Sequence, residues 1–269
     1  LVNLYHDNGR VFGLVRVSER FAKAQSNNTQ HRVMMLKLLD GLEVMARRND
    51  FITYAREYLS RYPDSGEAID VVQRLGDALI LNNKKIEAAD AYRALWLHKP
   101  VAANRIAAQR ASEHYTSTGN NRIRVRAAEM AESLLDKLPG GEYTLRAGLR
   151  AVNEYRHISR WVESNAVIQK MFKKSGLPLT RILRHELYRL QAENFISLSQ
   201  WANAVASLKQ ARGQGEGWRP NEGWQLHERQ IYSMYQAAMK ATQIIPEVKS
   251  FSARYPNERT RWINYNHIG

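Results

Sequence analysis

The sequence of 269 residues contains no cysteine, which excludes disulfides, cysteine-ligated zinc and thiol catalysis. The missing cysteines leave the cellular compartment open, with the periplasm slightly favoured over the cytoplasm. Only 7 prolines and 15 glycines interrupt the chain. No run approaches the roughly 18 consecutive apolar residues that a membrane-spanning helix needs. The chain begins Leu1-Val2-Asn3, and we expect it to be a piece of a longer protein.

Motifs for catalysis are also missing. There is no Gly-rich phosphate loop, no dinucleotide fingerprint and no Gly-x-Ser-x-Gly. His185-Glu186 begins like a zinc-protease helix, but position 189, where the second histidine should stand, is Arg. The eight histidines form no pair at helical i, i+4 spacing. We therefore expect a protein that is not an enzyme and that has no cofactor and no metal.

The residues that are abundant are the helix formers Ala, Leu, Arg, Glu, Gln and Lys, which favour an all-α fold. Residues 69–102 show the pattern most clearly. Apolar residues at helical spacing precede the pair Asn82-Asn83, a second apolar stripe follows it, and Pro100 ends the segment. This pattern predicts two amphipathic helices joined by a tight turn.

With Gly76 and Ala88 where two helices would cross, residues 69–102 resemble one tetratricopeptide (TPR) repeat of 34 residues. Residues 158–171 and 198–211 form a second match. Each has a Ser-x-Trp turn that enters a helix, at Trp161 and Trp201. The resemblance covers most of residues 31–254 and is weakest near Tyr54 and Pro63, where the first repeat departs from the family pattern.

The resemblance implies a right-handed superhelix of about six antiparallel helix pairs, a TPR-like α-solenoid that forms a single domain over 1–269. A helix pair of this kind needs neighbours to bury its apolar faces. The glycine-rich segment 213–223 is a candidate hinge or loop. The predicted pairs are 31–47 with 50–61, 66–81 with 84–97, 102–117 with 122–137, 142–156 with 159–174, 179–197 with 200–212 and 220–240 with 243–254, after one irregular helix or broken pair within 4–24.

Charge provides the remaining functional signal. The net charge is +14, and residues 122–189 hold 14 basic against 7 acidic side chains. Arg146, Arg150, Arg181 and Arg184 are predicted on first helices of successive pairs, where they would form a basic stripe that binds carboxylates or phosphates. The alternative interpretation of these arginines is an ordinary solvated surface.

These features predict a non-enzymatic scaffold that binds a protein or peptide partner with acidic groups in the concave groove of the superhelix. The alternative is a basic solenoid that binds an anionic polymer, such as nucleic acid or a polysaccharide. TPR-like solenoids occur in the periplasmic part of bacterial exopolysaccharide secretion proteins, and a cysteine-free fragment would suit such a protein.

Overall fold

The computed structural model describes residues 10–23, 29–215 and 220–256, apart from the side chains of 215 and 220–222. This part of the chain contains thirteen α-helices, one short 3-10 turn and no strand. The helices are α1 Val11–Ala22, α2 Thr29–Val44, α3 Arg48–Arg61, α4 Ala68–Leu81, α5 Lys85–His98, α6 Arg105–Ser117, α7 Asn121–Lys137, α8 Glu142–His157, α9 Trp161–Lys173, α10 Arg181–Ser197, α11 Trp201–Gly215, α12 Pro220–Gln236 and α13 Ala241–Arg254.

The helices divide between two compact units, residues 1–138 and 139–269. Within each unit, a helix packs mainly against the helices before and after it in the chain. Unit 1 contains α1 followed by the pairs α2/α3, α4/α5 and α6/α7, and unit 2 contains α8/α9, α10/α11 and α12/α13. The predicted all-α class, built from TPR-like helix pairs, is confirmed. The single domain over 1–269 stays a prediction.

A residue in the left-handed conformation lies in the turn between the two helices of every pair. These residues are Ala46, Asn83, Gly119, Ser159, Ser199 and Ala238, with φ between 50° and 68°. In five of the turns, the backbone N–H after the left-handed residue donates to a carbonyl five residues back, as Lys84 does to Leu79 at 2.8 Å. This is the Schellman ending of a helix, which reverses the chain within about two residues. The serine of each Ser-x-Trp motif is thus the left-handed residue.

The apolar core of each unit lies between the helices. In unit 1, a buried cluster joins α1 to α5 through Leu39, Phe51, Tyr58 and Leu75. In unit 2, Ile231, Ile244 and Phe251 connect the last two helices. Gly76 faces the ring of buried Tyr92, so that α4 and α5 approach closely where the sequence predicts a small crossing residue.

Three details differ from the sequence predictions or lie partly beyond the described residues. A start at 243 would place Pro246 in the first turn of the last helix, but α13 begins at Ala241, so Pro246 is its sixth residue. Of the candidate hinge 213–223, α11 extends through Gly215 and α12 begins at Pro220, while 216–219 lie outside the described residues. The predicted N-terminal element is the single helix α1, and residues 4–9 and 24 of that prediction lie outside the description. No helix in the described part is long and apolar enough to cross a membrane.

Candidate partner-binding surfaces

The four arginines of the predicted stripe all lie in unit 2, on the first helices α8 and α10. The Arg146 side chain is 76% exposed, and its Nε pairs with Glu142 Oε1 at 3.0 Å one turn earlier on the same helix. Arg181 Nη2 donates to the carbonyl oxygen of Gly213 at 3.2 Å. Arg150 and Arg184 are half-buried. The helix assignment is confirmed, and the binding role of the four residues stays a prediction.

The contact between α8 and α10 is made by a different arginine, Arg156. Its guanidinium donates to the Leu190 carbonyl oxygen at 2.9 Å, to Asn194 Oδ1 at 2.6 Å and to Glu193 Oε2 at 2.7 Å. It also lies over the ring of Trp161, 5.7 Å from the centroid. Charge-assisted bonds of this kind are strong and directional, so Arg156 fixes α8 against α10.

Glu193 Oε1 also accepts hydrogen bonds from Arg189 Nη1 at 2.5 Å and from Arg229 Nη1 at 3.4 Å. Burial acts to lower the pKa of Arg189, but the charges of Glu193 and Glu186 outweigh it and raise that pKa. Sequence reasoning missed the contacts of Glu193 with Arg156 and Arg229, because these arginines lie 37 and 36 residues away from it, a separation that no local pattern shows.

The first helices are close to neutral as a group. Those of unit 1 contain five basic and five acidic side chains, and those of unit 2 contain seven and six. Many of these charges pair between successive first helices, as Arg74 does with Asp40 and Glu43. The net charge of +14 therefore comes mostly from the second helices, the connecting segments and the remaining residues.

A cavity of about 610 Å³ opens between the second helices α3 and α5 of unit 1. Its floor is apolar, with Leu59, Leu75, Leu95, Ala91 and Ala94. The other lining residues are Arg56, Ser60, Pro63, Glu87, Asp90 and His98. This composition, an apolar floor with a few polar groups at the edge, is typical of binding sites.

The polar groups around this cavity are held in place. Arg56 Nη2 donates to Glu87 Oε2 at 2.5 Å, and this hydrogen bond is the main cause that lowers the pKa of Glu87. Asp90 Oδ1 accepts from the Tyr115 hydroxyl at 2.5 Å and from Arg126 at 3.3 Å. His98 Nε2 lies 3.2 Å from Asp64 Oδ1 at the far end. The polar rim is thus preorganised around an apolar floor.

A second, smaller cavity of about 240 Å³ lies between α2 and α4. Leu42, Phe51 and Leu81 give it apolar walls, and Arg74 with Glu43 closes one side.

In unit 2, the side chain of His227 is fully buried and its Nε2 lies 3.0 Å from Glu247 Oε2. The described residues contain no group of three His, Cys, Asp or Glu side chains placed to hold a metal ion.

No known family model matches the chain, and no curated protein matches it in sequence. Solved structures are similar in architecture. The C-terminal part of a TPR repeat-containing protein from Cytophaga hutchinsonii is 12% identical, with a TM-score of 0.43 over 95% of this chain and 94% of that one. A tetratricopeptide repeat protein from Parabacteroides merdae is 13% identical, with a TM-score of 0.39 over 94% and 96%. The TPR2AB domain of yeast Sti1, in a complex with pHSP90, is 9% identical, with a TM-score of 0.35 over 96% and 90%.

Proposed function

We propose that this chain is a non-enzymatic scaffold that binds a partner protein, and that the cavity between α3 and α5 is a contact site. The observation that carries the proposal is the open apolar floor of about 610 Å³ inside a fixed polar rim. Leaving such a surface in water is unfavourable, and covering it with apolar side chains recovers about 25 cal/mol per Å². The site therefore suits a partner that presents apolar side chains between polar ones.

Site-specific photo-crosslinking tests this function in cells that produce the full-length protein. Benzoylphenylalanine replaces Ala94, which lines the cavity and is exposed, or Ala202, which is exposed on the second helix α11. We expect a discrete protein adduct from position 94 and none from position 202. The same adducts from both positions, or none from position 94, would remove the proposal.

Binding of an anionic polymer is the second candidate, supported by the net charge of +14 and by the exposure of Arg146. Here Arg146, Arg150, Arg181 and Arg184 would contact carboxylates or phosphates, as in the periplasmic part of an exopolysaccharide secretion protein. Such binding weakens steeply as salt rises because counterions are released.

A matched pair of triple variants tests the role of these arginines in polymer binding. One variant replaces Arg146, Arg150 and Arg184 by Ala. The other replaces Arg48, Lys85 and Arg122 by Ala and so removes the same amount of positive charge from unit 1. We expect the first variant to lose more affinity for polyphosphate at low salt. Equal losses would show that only net charge matters, and no binding at low salt would exclude this function.

A further inference from the structure

The cavity between α3 and α5 is a groove that runs along both helices. Its lining residues lie from Arg56 to Pro63 on one side and from Glu87 to His98 on the other. Glu87 and His98 on α5 are eleven residues apart, which corresponds to about 16 Å, or three helical turns, at 1.5 Å per residue. Arg56 pairs with Glu87 at one end, and Asp64 lies near His98 at the other, so α3 and α5 run in the same direction.

We propose that this groove binds an amphipathic α-helix of a partner protein, lying antiparallel to α3 and α5. The inference rests on the proposed scaffold function and specifies the partner. A helix satisfies its own backbone hydrogen bonds, so it can contact the groove through side chains alone. The groove walls are helices whose backbones are already bonded internally, so they offer side chains only. The small residues Ala91 and Ala94 let a third helix approach closely.

Charge determines the direction of the bound helix. The N-terminal end of α5, with its partial positive charge, lies at the end marked by Arg56 and Glu87. Lys84 and Lys85 are exposed beside that end. At the opposite end, the C-termini of both helices carry partial negative charge, and the exposed carboxylate of Asp64 lies there, 3.2 Å from His98 and 3.9 Å from Lys99. A partner helix therefore places its C-terminal end, with acidic side chains, beside the lysines and its N-terminal end near Asp64.

The apolar face of the partner must match the floor. The groove is three turns long on the α5 side and about two turns long on the α3 side, which is enough for apolar side chains at i, i+4 and i+7 of one helical stripe. Leu59 and Leu95 flank the positions where these side chains would pack, and buried Leu75 lies beneath them. The partner is thus defined by pattern and charge rather than by a single anchor residue.

Synthetic peptides of about 15 residues, stapled to stay helical, test the proposal by fluorescence anisotropy. The first has Leu at i, i+4 and i+7 with Glu in its last turn. The second has the same composition with Leu at alternate positions, and the third has the Glu residues moved to the first turn. We expect the first peptide to bind at least tenfold more tightly than the other two. Equal binding of the first and second peptides would overturn the helical partner, and equal binding of the first and third would overturn its direction.

Variants of the protein locate the binding. Ala94→Trp fills the groove, and Ala202→Trp adds the same side chain to an exposed site in unit 2, with circular dichroism confirming that both fold. We expect tenfold weaker binding of the first peptide to Ala94→Trp and no change with Ala202→Trp. Equal binding to both variants would place the peptide elsewhere. A crosslink from position 94 without a preference for the helical peptide would refute the helix yet keep the scaffold function, whereas no crosslink would remove both.

Discussion

Arg74 on α4 donates to Asp40 on α2 at 2.9 Å, across the gap between successive first helices. Arg74 lies nine residues before the left-handed residue of its own pair, and Asp40 lies six before that of the preceding pair. In unit 2, Arg229 and Glu193 occupy the same two positions and approach to 3.4 Å. The same ion pair thus recurs between stacked first helices and fixes how one pair sits on the next.

Replacing Arg74 by Ala should lower the free energy of unfolding by about 1 to 3 kcal/mol. Its side chain is only 20% exposed, bonds both Asp40 and Glu43, and lies over the Phe51 ring. Urea denaturation measures the change. Arg110→Ala is the matched control, because Arg110 has the equivalent position in α6 but is 55% exposed and pairs with Glu113 on its own helix. The control should lose less than about 0.5 kcal/mol, and equal losses would contradict a special role for Arg74.

Substitutions at two left-handed turn residues should raise the free energy of unfolding rather than lower it. Ala46 and Ala238 have φ of 52° and 50°, where a Cβ is unfavourable by about 1 kcal/mol or more. Ala46→Gly and Ala238→Gly should therefore raise the free energy of unfolding by several tenths of a kcal/mol. The gain is smaller than the relieved strain because glycine has more conformational entropy to lose on folding. Thermal denaturation followed by circular dichroism measures this.

The reverse change provides the control for these turns. Gly119 has φ of 68° and open space around its missing Cβ, so Gly119→Ala isolates the backbone effect from any clash. It should lower the free energy of unfolding by about 1 kcal/mol. Stabilisation by Gly119→Ala, or destabilisation by Ala46→Gly, would contradict the assigned turn conformations.

Two glycines at helix crossings should respond differently to Ala. A Cβ on Gly76 would lie 2.5 Å from Cε2 of Tyr92, a rigid buried ring, whereas one on Gly148 would lie 2.9 Å from Sδ of Met171. Gly76→Ala should cost about 2 to 3 kcal/mol by overpacking. Gly148→Ala should be close to neutral, because methionine adapts and alanine favours the helix. Chemical denaturation checks both, and equal costs would show that ring rigidity is not the cause.

The helices could be predicted from sequence because their signals are local. Apolar spacing, the Asn82-Asn83 break and the two Ser-x-Trp motifs placed the helix pairs to within a few residues. The contact partners of Arg156 and Glu193 could not be predicted in this way, because they depend on how one pair stacks on the next. The groove between α3 and α5 was missed for the same reason. The binding role of Arg146, Arg150, Arg181 and Arg184 remains a prediction.

Acid should lower the stability of the last helix pair, α12/α13, because His227 becomes protonated. Burial, with the charge of Arg212, lowers the pKa of His227 to about 4, below its unfolded value of about 6.5. The unfolded state therefore binds the proton first, and stability is lost as the pH falls from about 6.5 to 4, by up to about 3 kcal/mol. Burial raises the pKa of Glu247, but hydrogen bonds from Arg212 and His227 outweigh it and lower that pKa, which extends the loss to lower pH.

Hydrogen exchange of the α12 and α13 amides at pH 7 and pH 4.5 measures this loss locally. The matched variant His227→Gln keeps a donor beside Glu247, whose Oε2 lies 3.0 Å from Nε2 of the histidine, but cannot gain a proton. We expect the wild-type amides to lose protection at pH 4.5 by more than the variant amides do. A loss of the same size in both proteins would show that His227 does not cause the acid sensitivity and that other carboxylates, Glu247 among them, determine it.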